Sequence, residues 1–239
     1  PCLNTEFHQA GYNTSFLFGV QLSYGNIKAY MYYNKFDRIL EGDDFEDSIP
    51  RGRLGVHDEY LYARQLRELK NEKQPFFAAM FTMSSHNPYD MPMKDEDRLP
   101  FDSDEGKYVN SVHYADAKLY DFLQNAKKEK WFDNTLFIII SDHSHRSPKH
   151  WDHNQPEYRR IPFVLWGNVL KDEFKGYRYK KICSQIDLAS TLLNQLDMPA
   201  QKYEWSKNLF NPYTPEFAYY ETTDGFGWVT SSSPLFLSA

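Results

Sequence analysis

Apolar runs of strand length alternate with segments of helical periodicity, and that alternation constrains the fold of this chain more than any other feature. "LNTEFHQAGYNTSFLFGV" reads as a helix closed by Gly11, followed by a strand near Thr14 to Phe18. "HDEYLYARQLRELKNEKQ" repeats Tyr60, Leu61, Arg64, Leu66 and Leu69 at helical spacing, and after Pro75 the run "FFAAMFTM" reads as a buried strand. A long helix follows in "GKYVNSVHYADAKLYDFLQNAKKEK", with Val109, Val112, Ala115, Leu119 and Leu123 expected on one face. Then come the strand "LFIII", the strand "IPFVLWG" and a helix around "SQIDLASTLLNQL". Strands alternating with long helices predict an α/β three-layer sandwich, a mainly parallel sheet flanked by helices on both faces. The closing run "FAYYETTDGFGWVT" predicts a hairpin turning at Asp224-Gly225, within a C-terminal region of about residues 212–239. The whole of residues 1–239 is expected to be a single domain.

Ligands of such sheets bind in loops at the C-terminal ends of the strands. "SSHNPY" (Ser84 to Tyr89) follows one strand and Asp142-His143 follows another, so both are expected at the same sheet edge. The second loop is crowded: four of the chain's eight histidines, His143, His145, His150 and His153, fall between Asp142 and His153. An acid and an imidazole at a strand end form half of a site for Zn²⁺ or Mn²⁺; the alternative is a carboxylate capping the turn beside a backbone-bonded imidazole. His86, held in a turn by Asn87-Pro88, is a candidate to bond an anionic oxygen or act as a general acid, against an ordinary turn histidine. His153 is a candidate second imidazole, because the strand beginning at Ile161 would hold its loop near Asp142. His145, His150, Arg146 and Lys149 are read as loop residues. The polar stretch "EGDDFEDSIPRGRLG" reads as a surface loop near the mouth of a site.

The remaining composition narrows the class. A net charge of −6 argues against nucleic acid, which needs a basic face, and no apolar run reaches membrane-spanning length. Cys2 and Cys183 have neither metal spacing nor a disulfide framework, though one long-range bridge remains open. No G-x-S-x-G elbow, P-loop or G-x-G-x-x-G is present, so a Ser-His-Asp hydrolase is the poorer reading. A chain opening on Pro1 rather than Met is expected to be a piece of a longer protein.

Taken in order, "AGYNTSFLFG", "HDEYLYARQLRELKNEKQPFFAAMFTMSSHNPYDMP", "YVNSVHYADAKLYDFLQ", "NTLFIIISDHSHR", "RRIPFVLWG" and "QIDLASTLLNQL" resemble the sulfatase family of the alkaline phosphatase superfamily. The lipoteichoic acid synthase-like phosphoglycerol transferases look like the closest branch. The similarity runs to about Leu196. It implies that Asp142 and His143 ligate one divalent metal (Mn²⁺ foremost, with Zn²⁺, Mg²⁺ or Ca²⁺ as alternatives) and that His86 contacts the phosphate or the leaving group. It also implies that the nucleophile (Thr in the transferases, a Ser- or Cys-derived formylglycine in sulfatases), an acidic metal ligand and the N-terminal strands lie upstream of Pro1. The isolated chain is then expected to be inactive and to hold the metal weakly, if at all. Phe18 stands where the transferases carry a His, and no Arg follows; Tyr24 and Lys28 are the candidates to substitute at the substrate.

The implied function is metal-dependent transfer or hydrolysis of phospho- or sulfo-esters on cell-envelope glycans or lipids. The expected location is the outer face of the cytoplasmic membrane or the periplasm, with membrane contact only through segments not in this sequence. A cation beside the nucleophile and the non-bridging oxygen supplies the charge neutralisation such transfers need. Two alternatives come from other classes: a non-catalytic remnant that binds an anionic glycan or headgroup, and a zinc-stabilised interaction domain built on the histidine-rich loop.

Overall fold

The computed structural model describes residues 1–23, 26–101, 103–147, 149–232 and 234–238, the last without its side chain. Residues Cys2–Lys130 form one compact body, and Trp131–Ala239 together with Pro1 form a second.

The first body is built on three parallel strands in the order β2-β1-β3: β1 Asn13–Phe18, β2 Arg38–Leu40 and β3 Phe76–Phe81. Alternation along β1 sends neighbouring side chains to opposite faces. Leu17 points into a cluster with Phe45, Val56 and Leu61, whereas Phe16 and Phe18 join Leu22 on the other side. A parallel strand covered on both faces needs a continuous apolar run, and "FLF" supplies it. Helix α1 (Leu3–Gln9) runs into Gly11, whose φ of +86° turns the chain into β1. Phe7 of α1 stacks on Phe77 of β3 with centroids 4.6 Å apart. Helices α3 (Asp58–Leu69) and α4 (Asp104–Ala126) pack together through Tyr62 and Phe122, 4.9 Å apart.

Two expectations for this body need correction. The α4 stripe is displaced: Gly106, Asn110, Tyr114, Phe122 and Ala126 are buried, while Val112 is exposed. Asn110 can be buried because its amide is satisfied, donating to the Gly106 carbonyl (3.0 Å) and accepting from the Leu99 amide (2.7 Å). The strand "FFAAMF" is half-buried along its whole length. The stretch 41–55 is the surface loop expected, largely exposed but pinned to the body. Arg51 donates to the Gly42 and Phe45 carbonyls, Phe45 enters the core, and the Val56 amide donates to the Gly19 carbonyl at 2.8 Å. Gly55 passes so close that a Cβ there would sit 2.3 Å from the Gly19 oxygen. The helix α2 (Ile27–Tyr33) and the strand β2 carried no clear pattern: α2 buries no residue and β2 is three residues long.

In the second body β4 (Phe137–Ile140) pairs with β5 (Phe163–Trp166), and the pair is antiparallel, with Ile140 opposite Phe163. The α/β class with its parallel sheet holds for β1–β3, but β5 departs from the parallel direction. Trp131, Phe132, Phe137 and Trp166 pack ring on ring beneath the pair. Helix α5 (Asp187–Gln195) buries Leu192 and Leu193. The C-terminal hairpin forms as expected and gains a strand: β6 Phe217–Thr222, β7 Gly225–Thr230 and β8 Pro234–Ser238 make an antiparallel meander. Its first turn is Thr223-Asp224, one residue before the expected place, because Thr222 pairs with Gly225. Cys2 and Cys183 are free thiols.

Candidate metal and substrate site

Strand β4 ends at Ile140, and the chain leaves the sheet with Asp142 and His143 both exposed. The Asp142 carboxylate bends back so that Oδ1 accepts the His143 amide at 2.8 Å, while Oδ2 faces His143 Nε2 at 3.5 Å. His143 Nδ1 lies 2.8 Å from the Ser144 carbonyl. A carbonyl oxygen only accepts, so Nδ1 carries the hydrogen and Nε2 of the neutral ring presents a lone pair. Two acceptors then face each other, an arrangement that a proton or a cation between them relieves. Two ligands about 2.1 Å from one tetrahedral ion lie ~3.4 Å apart, so the pair fits one small divalent ion. Among the described residues no group of three or more His, Cys, Asp or Glu side chains is placed to hold a metal. The fit is therefore that of a two-residue half-site.

The antiparallel direction of β5 decides what stands beside it. The segment entering β5 lies next to the end of β4, with the Ser141 amide 3.4 Å from the Pro162 carbonyl. Ser144 Oγ donates to the Tyr158 carbonyl, and Tyr158 carries the His153 ring edge-on at 4.6 Å. Arg159 braces the same turn: its guanidinium lies over the Tyr158 and Tyr220 rings at 5.1 and 5.4 Å and donates to the His153 carbonyl. The loop of His153 is thus tied to the loop of Asp142, and the His153 side chain is exposed. His145 accepts the Ser147 amide at 3.1 Å, and the His150 amide donates to the Arg146 carbonyl at 2.7 Å, so both are built into the turns of the loop.

His86 belongs to the first body. It sits in the turn after β3, exposed, its Nδ1 2.7 Å from the Asn87 carbonyl. The same donor argument leaves Nε2 free to bond a ligand. The device that holds this turn was not read from the sequence. Asp58, fully buried at the start of α3, accepts the Met83 and Ser84 amides through Oδ1 at 3.0 Å each, and Ser84 Oγ accepts the Asp58 amide at 2.9 Å. An acid in the first turn of a helix was the available signal, and it pointed only to a favourable helix end.

Lys28 is committed to an ion pair with Glu41 at 2.5 Å. The bond to Lys28 holds the Glu41 carboxyl below its ordinary value, and Oε2 also accepts the Leu22 amide. Lys28 therefore brings an already compensated charge toward any anion. Tyr24 lies outside the described residues.

Comparison with known proteins reaches both bodies. The sequence model of the sulfatase family matches residues 1–198. Lipoteichoic acid synthase 1 of Bacillus subtilis (strain 168) is 24% identical over 211 residues, covering 81% of this chain and 32% of its own length. Phosphoglycerol transferase I of Escherichia fergusonii is 22% identical over 182 residues, covering 72% of this chain and 24% of its own. Among solved structures, an alkaline phosphatase superfamily protein from Vibrio parahaemolyticus superposes with a TM-score of 0.85 at 28% identity, over 99% of this chain and 57% of that one. A lipoteichoic acid synthase from Listeria monocytogenes gives 0.77 at 21% identity, over 100% and 67%. The chain spans about a third or less of the length of these curated relatives.

Proposed function

The chain belongs to the sulfatase family, and from that premise we propose that it carries the metal-ligand pair and a substrate-contacting histidine of an enzyme acting on phospho- or sulfo-esters. Transfer of a phosphoglycerol-type group onto a cell-envelope glycan or lipid is the preferred reaction, since the relatives include lipoteichoic acid synthases and phosphoglycerol transferases. On this reading the protein acts at the outer face of the cytoplasmic membrane or in the periplasm. No helix among the described residues is long and apolar enough to cross a membrane.

The observation that carries the proposal is the facing pair Asp142 Oδ2 and His143 Nε2, with Nδ1–H already committed to a carbonyl. A carboxylate oxygen and a neutral imidazole nitrogen suit Zn²⁺ or Mn²⁺, and the family resemblance favours Mn²⁺; Mg²⁺ or Ca²⁺ would favour more oxygen donors. When bound, such an ion polarises the transferred group and lowers the pKa of a hydroxyl nucleophile. The protein's own residues do the rest. Asp142 and His143 set the position of positive charge at the strand end. His86, anchored through Nδ1, presents Nε2 to an anionic oxygen and, when protonated, can deliver its proton to the leaving alkoxide. His153, on the loop tied to Asp142, is the further candidate for a substrate oxygen.

The test is Mn²⁺ titration of the 239-residue chain, with free Mn²⁺ read by electron paramagnetic resonance. Wild type should take up one ion weakly, since only two of its ligands are brought together among the described residues, and Asp142→Asn and His143→Ala should each abolish uptake while the circular dichroism spectrum stays unchanged. Retention of uptake by both variants would refute the assignment.

A further inference from the structure

The two peptide groups that flank the Cα of Asp142 are both reached by one side chain, 44 positions from Ser141 and 43 from Asp142. Gln185 Nε2 donates to the Ser141 carbonyl at 2.7 Å and lies 3.4 Å from the Asp142 carbonyl. Those carbonyls belong to the peptide before Asp142 and the peptide after it. One amide gripping both restrains the φ and ψ of Asp142, and hence the direction of its side chain. The bonds inside the loop restrain less, because they join neighbours that can move together: Ser141 Oγ to the His143 carbonyl, and the His143 amide to Asp142 Oδ1.

Gln185 is itself mounted rigidly. Ser184, just before it, donates its amide to Asp187 Oδ2 at 2.7 Å. Asp187 is fully buried and also receives the Lys207 amide (2.9 Å) and the Lys207 ammonium (2.9 Å). Lys207 lies beyond residue 198, where the family match ends. A buried charge pair held by backbone bonds has few alternative geometries, which is what a mounting for a ligand loop requires.

We infer that Gln185 is a positioning residue for the Asp142–His143 pair, setting its affinity for a divalent cation without touching the ion. The inference rests on the metal reading above. Partners outside the ligand shell typically contribute on the order of 10- to 100-fold in metal affinity. Gln185 is exposed, so its replacement leaves no buried polar group stranded.

Gln185→Met keeps the length of the side chain and removes its donors, and Gln185→Ala removes both. In the Mn²⁺ titration of the 239-residue chain, both variants should raise Kd by about tenfold or more with an unchanged melting temperature. Amide hydrogen exchange at His143, measured without metal, should quicken in both. Wild-type Kd in both variants overturns the inference while leaving the metal site standing. So does a weakened Gln185→Ala beside a wild-type Gln185→Met, which would assign the effect to packing. Should wild type bind no Mn²⁺, the half-site alone does not hold the ion and exchange at His143 decides: unchanged exchange in both variants overturns the positioning role.

Discussion

Lys207→Met should unfold the second body more readily than any surface change, and the amount can be worked from the contacts. The ammonium lies 2.9 Å from Asp187 Oδ2, 2.9 Å from the Phe217 carbonyl and 3.9 Å from the centre of the Phe217 ring. The two charged side chains are only 9% and 0% exposed, so water does little to screen them. Removing one partner of such a pair strands the other charge, at about 3–5 kcal/mol. The orphaned Phe217 carbonyl adds about 1 kcal/mol, and the methionine sulfur against the ring returns a similar amount. The expected net loss is about 3–5 kcal/mol. All five tryptophans fall at or after Trp131, so fluorescence in urea reports this body selectively. A double-mutant cycle with Asp187→Asn isolates the pair: the double variant should lose at least ~2 kcal/mol less than the sum of the singles. A single loss below about 1 kcal/mol, or strict additivity, would refute the reasoning.

Two further outcomes follow from the first body. Asp58→Ala removes a buried carboxylate that accepts two amides, and should cost about 3–5 kcal/mol; because this body holds no tryptophan, circular dichroism in urea is the readout, and a loss under about 1 kcal/mol would exclude the proposed grip on the His86 turn. Glu41, held below its ordinary value of 4.5 by the bond to Lys28, stabilises the fold above that pH and loses its contribution as pH falls through the depressed folded value. Urea midpoints of wild type and Glu41→Gln should therefore differ at pH 7 and converge as the pH is taken well below 4.5, and a constant gap would contradict the ion pair.

Much of the candidate site is legible in the sequence. The apolar run Leu136–Ile140 ending in Asp142-His143 announces a strand with an acid and an imidazole beyond its tip, and the turn after "FFAAMFTM" announces His86 in the same way. What could not be read were the partners. Nothing near Lys28 says that Glu41 will neutralise it, and nothing near Asp142 says that Gln185 will hold its backbone. Asp58 likewise looks like any acid in a first helical turn, although its side chain reaches the turn of His86.

By itself, then, the sequence determined the elements whose signal is local. These are the long helices, the apolar strands, the hairpin near Asp224-Gly225 and the residue types at the strand ends, because periodicity and turn chemistry act over a few positions. Tertiary structure alone decided the direction of β5, the packing of residues 41–55 over the end of β1, and the formation of the short α2 and β2. A strand's side-chain alternation is the same whichever way it pairs, so its direction is settled by the neighbour it meets and not by its own residues. That one direction brings the loop of His153 beside the loop of Asp142, and a parallel β5 would have carried it to the opposite end of the strand.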